Sequence, residues 1–112
     1  MKGERLGEFE EVVMLSVGVG GDDASGVAIQ ETLEEEANRQ VTLGAIYAAL
    51  DRLARKGFVT SRLGDPTPTR GGRRKRYYKL TASGLKALAE MRSVRDSMWK
   101  KAGITLNQRA AK

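Results

Sequence analysis

T-R-G-G-R-R-K-R-Y-Y-K-L-T, residues 69–81, sets two adjacent glycines, four consecutive basic residues and a β-prone run side by side. The glycines suit a turn. R-Y-Y-K-L at 76–80 alternates and is rich in aromatic side chains, as a half-buried strand is. A second β-prone run, F-V-T-S-R, precedes it at 58–62. Between them lie Gly64-Asp65-Pro66, Pro68 and Gly71-Gly72, all strand breakers, so the pair reads as a hairpin with a long, flexible tip. Alternation predicts Tyr78 and Leu80 facing inward and Tyr77 and Lys79 facing outward. The four cations at 73–76 either decorate a solvated turn or grip an acidic polymer, and the hairpin alone does not separate the two.

The residues upstream of the hairpin read as three helices. Over residues 5–18, Leu6, Phe9, Val12, Val13 and Leu15 recur at spacings of three and four, with Glu8, Glu10 and Glu11 on the other face. Acids in the first turns suit the helix dipole, and Gly18, Gly20 and Gly21 are expected to stop the helix. The glycine run has neither a preceding strand nor a Walker lysine, so it does not read as a nucleotide loop. Asp22 or Asp23 can cap a second helix over 24–37, with Val27, Ile29 and Leu33 as its apolar stripe. Glu34, Glu35 and Glu36 are adjacent on that helix and point about 100° apart, so they read as a solvated face rather than a metal site.

V-T-L-G-A-I-Y-A-A-L-D-R-L-A-R-K-G at 41–57 is the third helix, capped by Thr42 and stopped at Gly57 behind Arg55 and Lys56. Ile46, Ala49, Leu50 and Leu53 form its buried side. Its other side begins with the small residues Gly44, Ala45 and Ala48, from which Thr42 and Tyr47 project. Such a face suits close approach to another surface, either a neighbouring helix or a DNA groove.

The chain has 112 residues, a size for one modest core, and small domains often complete their burial by oligomerising. It has no cysteine and no histidine. Disulfides, thiolate chemistry and the commonest general base and metal ligand are therefore absent, and no enzyme activity, metal or cofactor is expected. No apolar run is long enough for a membrane span, and a cytoplasmic location is expected. The net charge of +6 is unevenly spread: residues 1–36 hold ten acids and two bases, residues 37–112 eighteen bases and four acids. A concentrated positive face attracts polyanions.

Helix, helix, capped helix, strand, strand and helix make a mainly α, α+β fold, a winged helix-turn-helix with an additional C-terminal helix. The third helix has a narrow end suited to the major groove, and the wing has cations suited to phosphates or the minor groove. L-G-E-F-E-E at 6–11, V-T-L-G-A-I-Y-A-A-L-D-R-L at 41–53, K-G-F-V-T-S-R at 56–62 and R-G-G-R-R-K-R-Y-Y-K-L-T-A-S-G at 70–84 together resemble the PadR family of transcriptional regulators. The resemblance implies a homodimeric repressor of a palindromic operator, in the subgroup with a short, single C-terminal helix. It implies double-stranded DNA contacts by Thr42, Gly44 and Tyr47 and by the wing residues Arg70, Arg73, Arg74, Lys75 and Arg76. Ser25-Gly26 departs from the Tyr-Gly common in the family.

Thr81 is expected to cap the last helix, over 82–102 and about 31 Å long, with Gly103 as its end. Leu85, Leu88 and Ala89 should lie on the domain. Met91, Val94, Met98 and Trp99 extend an apolar surface that fits a dimer interface. The expected division is a DNA-binding domain over 1–81, a dimerisation helix over 82–103 and a flexible tail over 104–112. Trp99 is either an interface anchor or a stacking surface for a small aromatic effector, since some PadR relatives hold flat aromatic compounds between subunits. The alternative to a DNA-binding regulator is a winged-helix adaptor whose basic hairpin meets an acidic protein.

Overall fold

The computed structural model describes residues 6–65 and 74–104. The sequence expectations for Pro66, Pro68, Arg70, Gly71, Gly72 and Arg73, and for the tail from 105 to 112, lie outside the described residues. The elements are α1 (Glu8–Gly20), a 3-10 turn (Gly21–Asp23), α2 (Gly26–Ala37), α3 (Leu43–Arg55), β1 (Val59–Leu63), β2 (Arg76–Leu80) and α4 (Ala82–Ala102). The architecture is the expected winged helix with a C-terminal helix. Three helices pack around Val13, Met14, Ile29, Leu33, Ile46, Leu50 and Leu53, all essentially inaccessible, and the hairpin closes one side through Phe58, Val59 and Tyr78.

Thr42 and Thr81 cap α3 and α4 as expected: each hydroxyl accepts from the backbone N–H three residues on, at 3.1 and 3.0 Å. β1 and β2 pair antiparallel with Val59 opposite Leu80 and Ser61 opposite Tyr78. Tyr78 is buried and Leu80 half-buried, so the inward face follows the alternation. Glu34, Glu35 and Glu36 are exposed. Among the described residues no helix is long and apolar enough to cross a membrane.

Several local expectations change. α1 starts at Glu8, because the Glu10 carboxylate accepts from the Gly7 N–H at 3.0 Å and so fixes the first turn. It continues through Gly18 and Gly20, since contacts with Leu80 and Ala24 hold those turns, and ends at Gly21. Leu15 faces solvent rather than the core. Ser25, not Asp22 or Asp23, caps α2, its hydroxyl accepting from the Ala28 N–H at 3.2 Å. The two aspartates lie in the 3-10 turn, and Val27 faces outward from the opening of α2. β1 starts one residue later than expected because the Phe58 N–H is committed to the Leu53 carbonyl at 2.9 Å. On α4, Ala87 and Leu88 pack on the core, whereas Leu85 and Ala89 are exposed.

α4 joins the body at one close approach. Gly84 is buried, and a Cβ there would overlap the Phe58 carbonyl oxygen and crowd the Met14 methyl. A backbone oxygen cannot turn aside as a side chain can. Gly84→Ala should therefore cost about 1–3 kcal/mol, measured as a lower Tm and a lower urea midpoint, whereas Ser83→Ala on the exposed side should change neither measurably.

Candidate nucleic-acid interface

The third helix presents the expected small-residue face. Ile46, Ala49, Leu50 and Leu53 are buried; Thr42, Gly44, Ala45 and Ala48 are exposed. Both ends of α3 are fixed by other elements. At its start the Gln30 side-chain amide donates to the Val41 carbonyl at 2.9 Å, tying α2 to the turn before α3. The Thr42 hydroxyl accepts from Ala45 and keeps its own proton for donation.

At the other end, Glu10 receives Arg52 Nε at 3.0 Å and Lys56 Nζ at 2.8 Å. Glu10 is buried. Burial by itself raises its pKa, but the bonds from Lys56, the Gly7 N–H and Arg52 outweigh it and hold the carboxyl below its usual value. The neighbouring acids of α1 are also engaged, Glu8 with Arg39 at 2.6 Å and Glu11 with Arg95 at 2.9 Å. The three acids of α1 thus fasten other elements, and among the described residues none of them forms an ion pair with the wing.

Tyr47 does not project straight outward from α3. It leans over the first turn of α2, where a Cβ on Gly26 would overlap its hydroxyl and ring; it stays 41% exposed. Its phenol also sits within electrostatic reach of Tyr78. Burial, the larger effect, and then Tyr47 push the Tyr78 phenol above its usual pKa.

The residue before Gly26 reaches the wing. Ser25 pairs with Tyr77 as an isolated antiparallel bridge, and the Tyr78 N–H donates to the Ala24 carbonyl at 2.9 Å. Residues 24–25 thus join β2 by a single isolated bridge. No β-prone run announced it, because two residues carry no period.

The wing's root is an ordered cluster. The Arg74 Nε donates to the Gly64 carbonyl at 2.7 Å, and the Gly64 N–H to the Lys75 carbonyl at 2.6 Å. Arg76 donates to the Ser61 hydroxyl at 3.0 Å. Arg62 stacks 4.8 Å from the Tyr77 ring centroid and donates to the Asp22 carbonyl at 3.1 Å. Of the expected wing cations, Arg74 and Arg76 therefore also hold the wing's shape, while Lys75 is exposed with no ion pair among the described residues. Arg62 belongs to the same surface, and no site role was expected for it. Its cross-strand position opposite Tyr77 is the signal that could have found it.

Met91 is half-buried, and Val94, Met98 and Trp99 are 58, 65 and 53% exposed on the outer half of α4. None lies near the interface just described. A cavity of about 150 Å³ lies between the 3-10 turn and the wing, lined by Asp22, Thr60, Arg62, Tyr77 and Lys79 among others. It is smaller than the usual ~300–1,000 Å³ of a drug-sized site, and Trp99 is not part of it.

The family model for PadR-like transcriptional regulators matches residues 15–90, from the middle of α1 into the first half of α4. The chain belongs to the PadR-like family of transcriptional regulators. Solved PadR-like structures share its fold. A PadR-like transcription factor from Bacteroides fragilis is 24% identical, with 85% of this chain and 86% of that one covered and a TM-score of 0.69. A PadR-like regulator from Bacillus cereus is 19% identical, with 90% and 93% covered and a TM-score of 0.67. Bacillus subtilis PadR, solved in complex with operator DNA, is 24% identical, with 75% of this chain and 46% of that one covered and a TM-score of 0.61. No curated protein matches the chain. Within the PadR-like match, α3, the bridge at 24–25 and both wing strands are all included, whereas Val94, Met98 and Trp99 fall beyond it.

The lowered pKa of Glu10 predicts a pH dependence. A carboxyl with a folded pKa below its unfolded value contributes stability above the unfolded pKa and loses it as pH falls through the folded one. At pH 7, Glu10→Gln should cost about 1–3 kcal/mol in urea unfolding. The gap to the native chain should narrow below about pH 4.3 and close as the native carboxyl protonates. A gap that stays constant to pH 3 would mean that its charge is not what matters.

Proposed function

We propose that this PadR-like regulator is a homodimeric DNA-binding repressor acting on a palindromic operator, with α3 in the major groove and the wing on the flanking backbone. The observation that supports this most is the junction at residues 25–26. Ser25 pairs with Tyr77 of the wing and Gly26 seats Tyr47 of α3, so the two parts that would meet DNA are spaced by one short segment. The exposed Thr42, Gly44 and Ala45 give α3 a narrow leading end. Thr42, Gly44 and Tyr47 are assigned to the groove, and Arg70, Arg73, Arg74, Lys75 and Arg76 to phosphates or the minor groove, where arginine's fork suits phosphate oxygens. Arg62 joins them at the wing root.

Residues 1–81 would thus be the DNA-binding part and residues 82–103 the dimerisation helix. A second copy is the occupant that fits the outer half of α4, because Val94, Met98 and Trp99 form an apolar stretch that their own chain leaves open. Exposed Leu15 and Val19 on α1 would add to that contact. Twofold symmetry of the protein then matches twofold symmetry of the operator, and occupancy of a promoter by the dimer represses it. A small aromatic effector would sit at the exposed Trp99, between the two copies. Saturable quenching of Trp99 by a planar aromatic compound, together with release from DNA, is the expected sign of such an effector; quenching without release would leave Trp99 as an interface anchor.

The wing assignment separates two kinds of cation. Lys75→Ala should lower the slope of log K against log salt by about 1 for operator and random DNA alike, with Tm unchanged. Arg74→Ala should lower the slope and also reduce Tm, since its guanidinium holds the Gly64 carbonyl. Normal operator binding by an Arg73→Ala, Lys75→Ala double variant near physiological salt, measured by fluorescence anisotropy, would remove the wing from the interface.

A further inference from the structure

The base of α4 is held firmly, and its outer half is not. The Thr81 N–H donates to the Phe58 carbonyl at 3.0 Å, the Thr81 hydroxyl donates to the Gly57 carbonyl at 2.6 Å, and Gly84 lies against Phe58. Ala87 and Leu88 complete this seat. Beyond Leu88, among the described residues, one polar bond ties α4 to the rest of the chain: Arg95 to Glu11, at 2.9 Å. Arg92 pairs only along α4, with Asp96 at 3.6 Å. The Glu11 side chain is 14% exposed and the Arg95 side chain 52%, so the bond is half-sheltered.

Glu11 stands next to Glu10, the residue that fastens α3 through Arg52 and Lys56. Adjacent carboxylates on α1 therefore hold the recognition helix and the outer half of α4 to one rigid rod. The leverage is large. From Gly84 to Trp99 is about 22 Å along a helix, so a swing of about 10° carries Trp99 about 4 Å, close to the rise of ~3.4 Å per base pair.

We propose that the Glu11–Arg95 ion pair is a latch that fixes the angle of α4 against the winged-helix body and thereby selects the spacing between operator half-sites. The inference rests on the dimeric DNA-binding reading above. Arg95 and Glu11 are positioning residues: neither belongs to the DNA face, and each acts through the relative placement of the two α3 helices. A single pair of this exposure supplies at most about a fivefold preference, so the latch biases spacing without switching binding on or off.

The test uses the full chain and duplexes first selected by it from a randomised pool, remade with the spacer between half-sites lengthened or shortened by one base pair. The native protein should favour one spacer. Arg95→Ala and Glu11→Gln should each reduce that preference by up to about fivefold or move its optimum by one base pair, with the Kd for an isolated half-site unchanged. The charge-reversed pair, Glu11→Arg with Arg95→Glu, should restore it, and raised salt should erase it in the native chain. Single variants that keep the native ratios overturn the latch while leaving the dimeric reading intact. Singles that lose the preference, joined by a folded reversed pair that does not regain it, overturn it too, because the effect is then packing rather than charge. A native chain that stays monomeric on DNA, or shows no spacer preference, ends the dimeric reading and the latch with it.

Discussion

Two residues, Ala24 and the extended Ser25, carry the organisation of this regulator. Ala24 is inaccessible, and its carbonyl takes the Tyr78 N–H. Ser25 pairs with Tyr77 and caps α2, and Gly26 receives Tyr47. The wing, the second helix and the third helix are each positioned by a different atom of the same segment. A hairpin of two strands is marginal in isolation, and packing against the helices together with the Ser25 bridge gives it a fixed place. Were this segment to become helical, as a cap at Asp22 or Asp23 would require, the wing would lose its bridge and Tyr47 its seat.

The second organising theme is electrostatic. α1 contributes three acids that each reach a different partner: Glu8 to Arg39, Glu10 to Arg52 and Lys56, Glu11 to Arg95. The exposed pairs contribute little stability. Glu10 differs because it is buried and its charge is satisfied by three donors, so losing it would loosen α3 as well as weaken the core. The uneven charge along the chain is therefore partly resolved inside the domain.

Much of this was legible in the chain. Thr42 and Thr81 announce their helices because a hydroxyl in that position satisfies an orphan N–H three residues on, a rule needing only local geometry. Ile46, Ala49, Leu50 and Leu53 announce the buried side of α3 by spacing alone. Tyr78 and Leu80 follow from strand alternation. Several misreadings concern residues whose state depends on what packs beside them. Gly18 and Gly20 looked like helix stops, yet Leu80 and Ala24 pack over them. Leu85 and Leu15 looked like core, yet both are about half exposed.

The candidate site divides along the same line. Residue types, caps and periods, all properties of neighbours within a turn or a strand, specify that there is a winged helix, where its third helix begins and which hairpin carries the cations. Pairings between residues tens of positions apart depend on how the elements stack, and they decide the rest. Stacking lays Tyr47 back over Gly26, brings Arg62 onto Tyr77, converts Arg74 and Arg76 into wing fasteners and sets Glu11 against Arg95. The hairpin contacts follow once the register of β1 and β2 is set, whereas Tyr47 over Gly26 and Glu11 against Arg95 join separate elements and exist only once the core has brought those together.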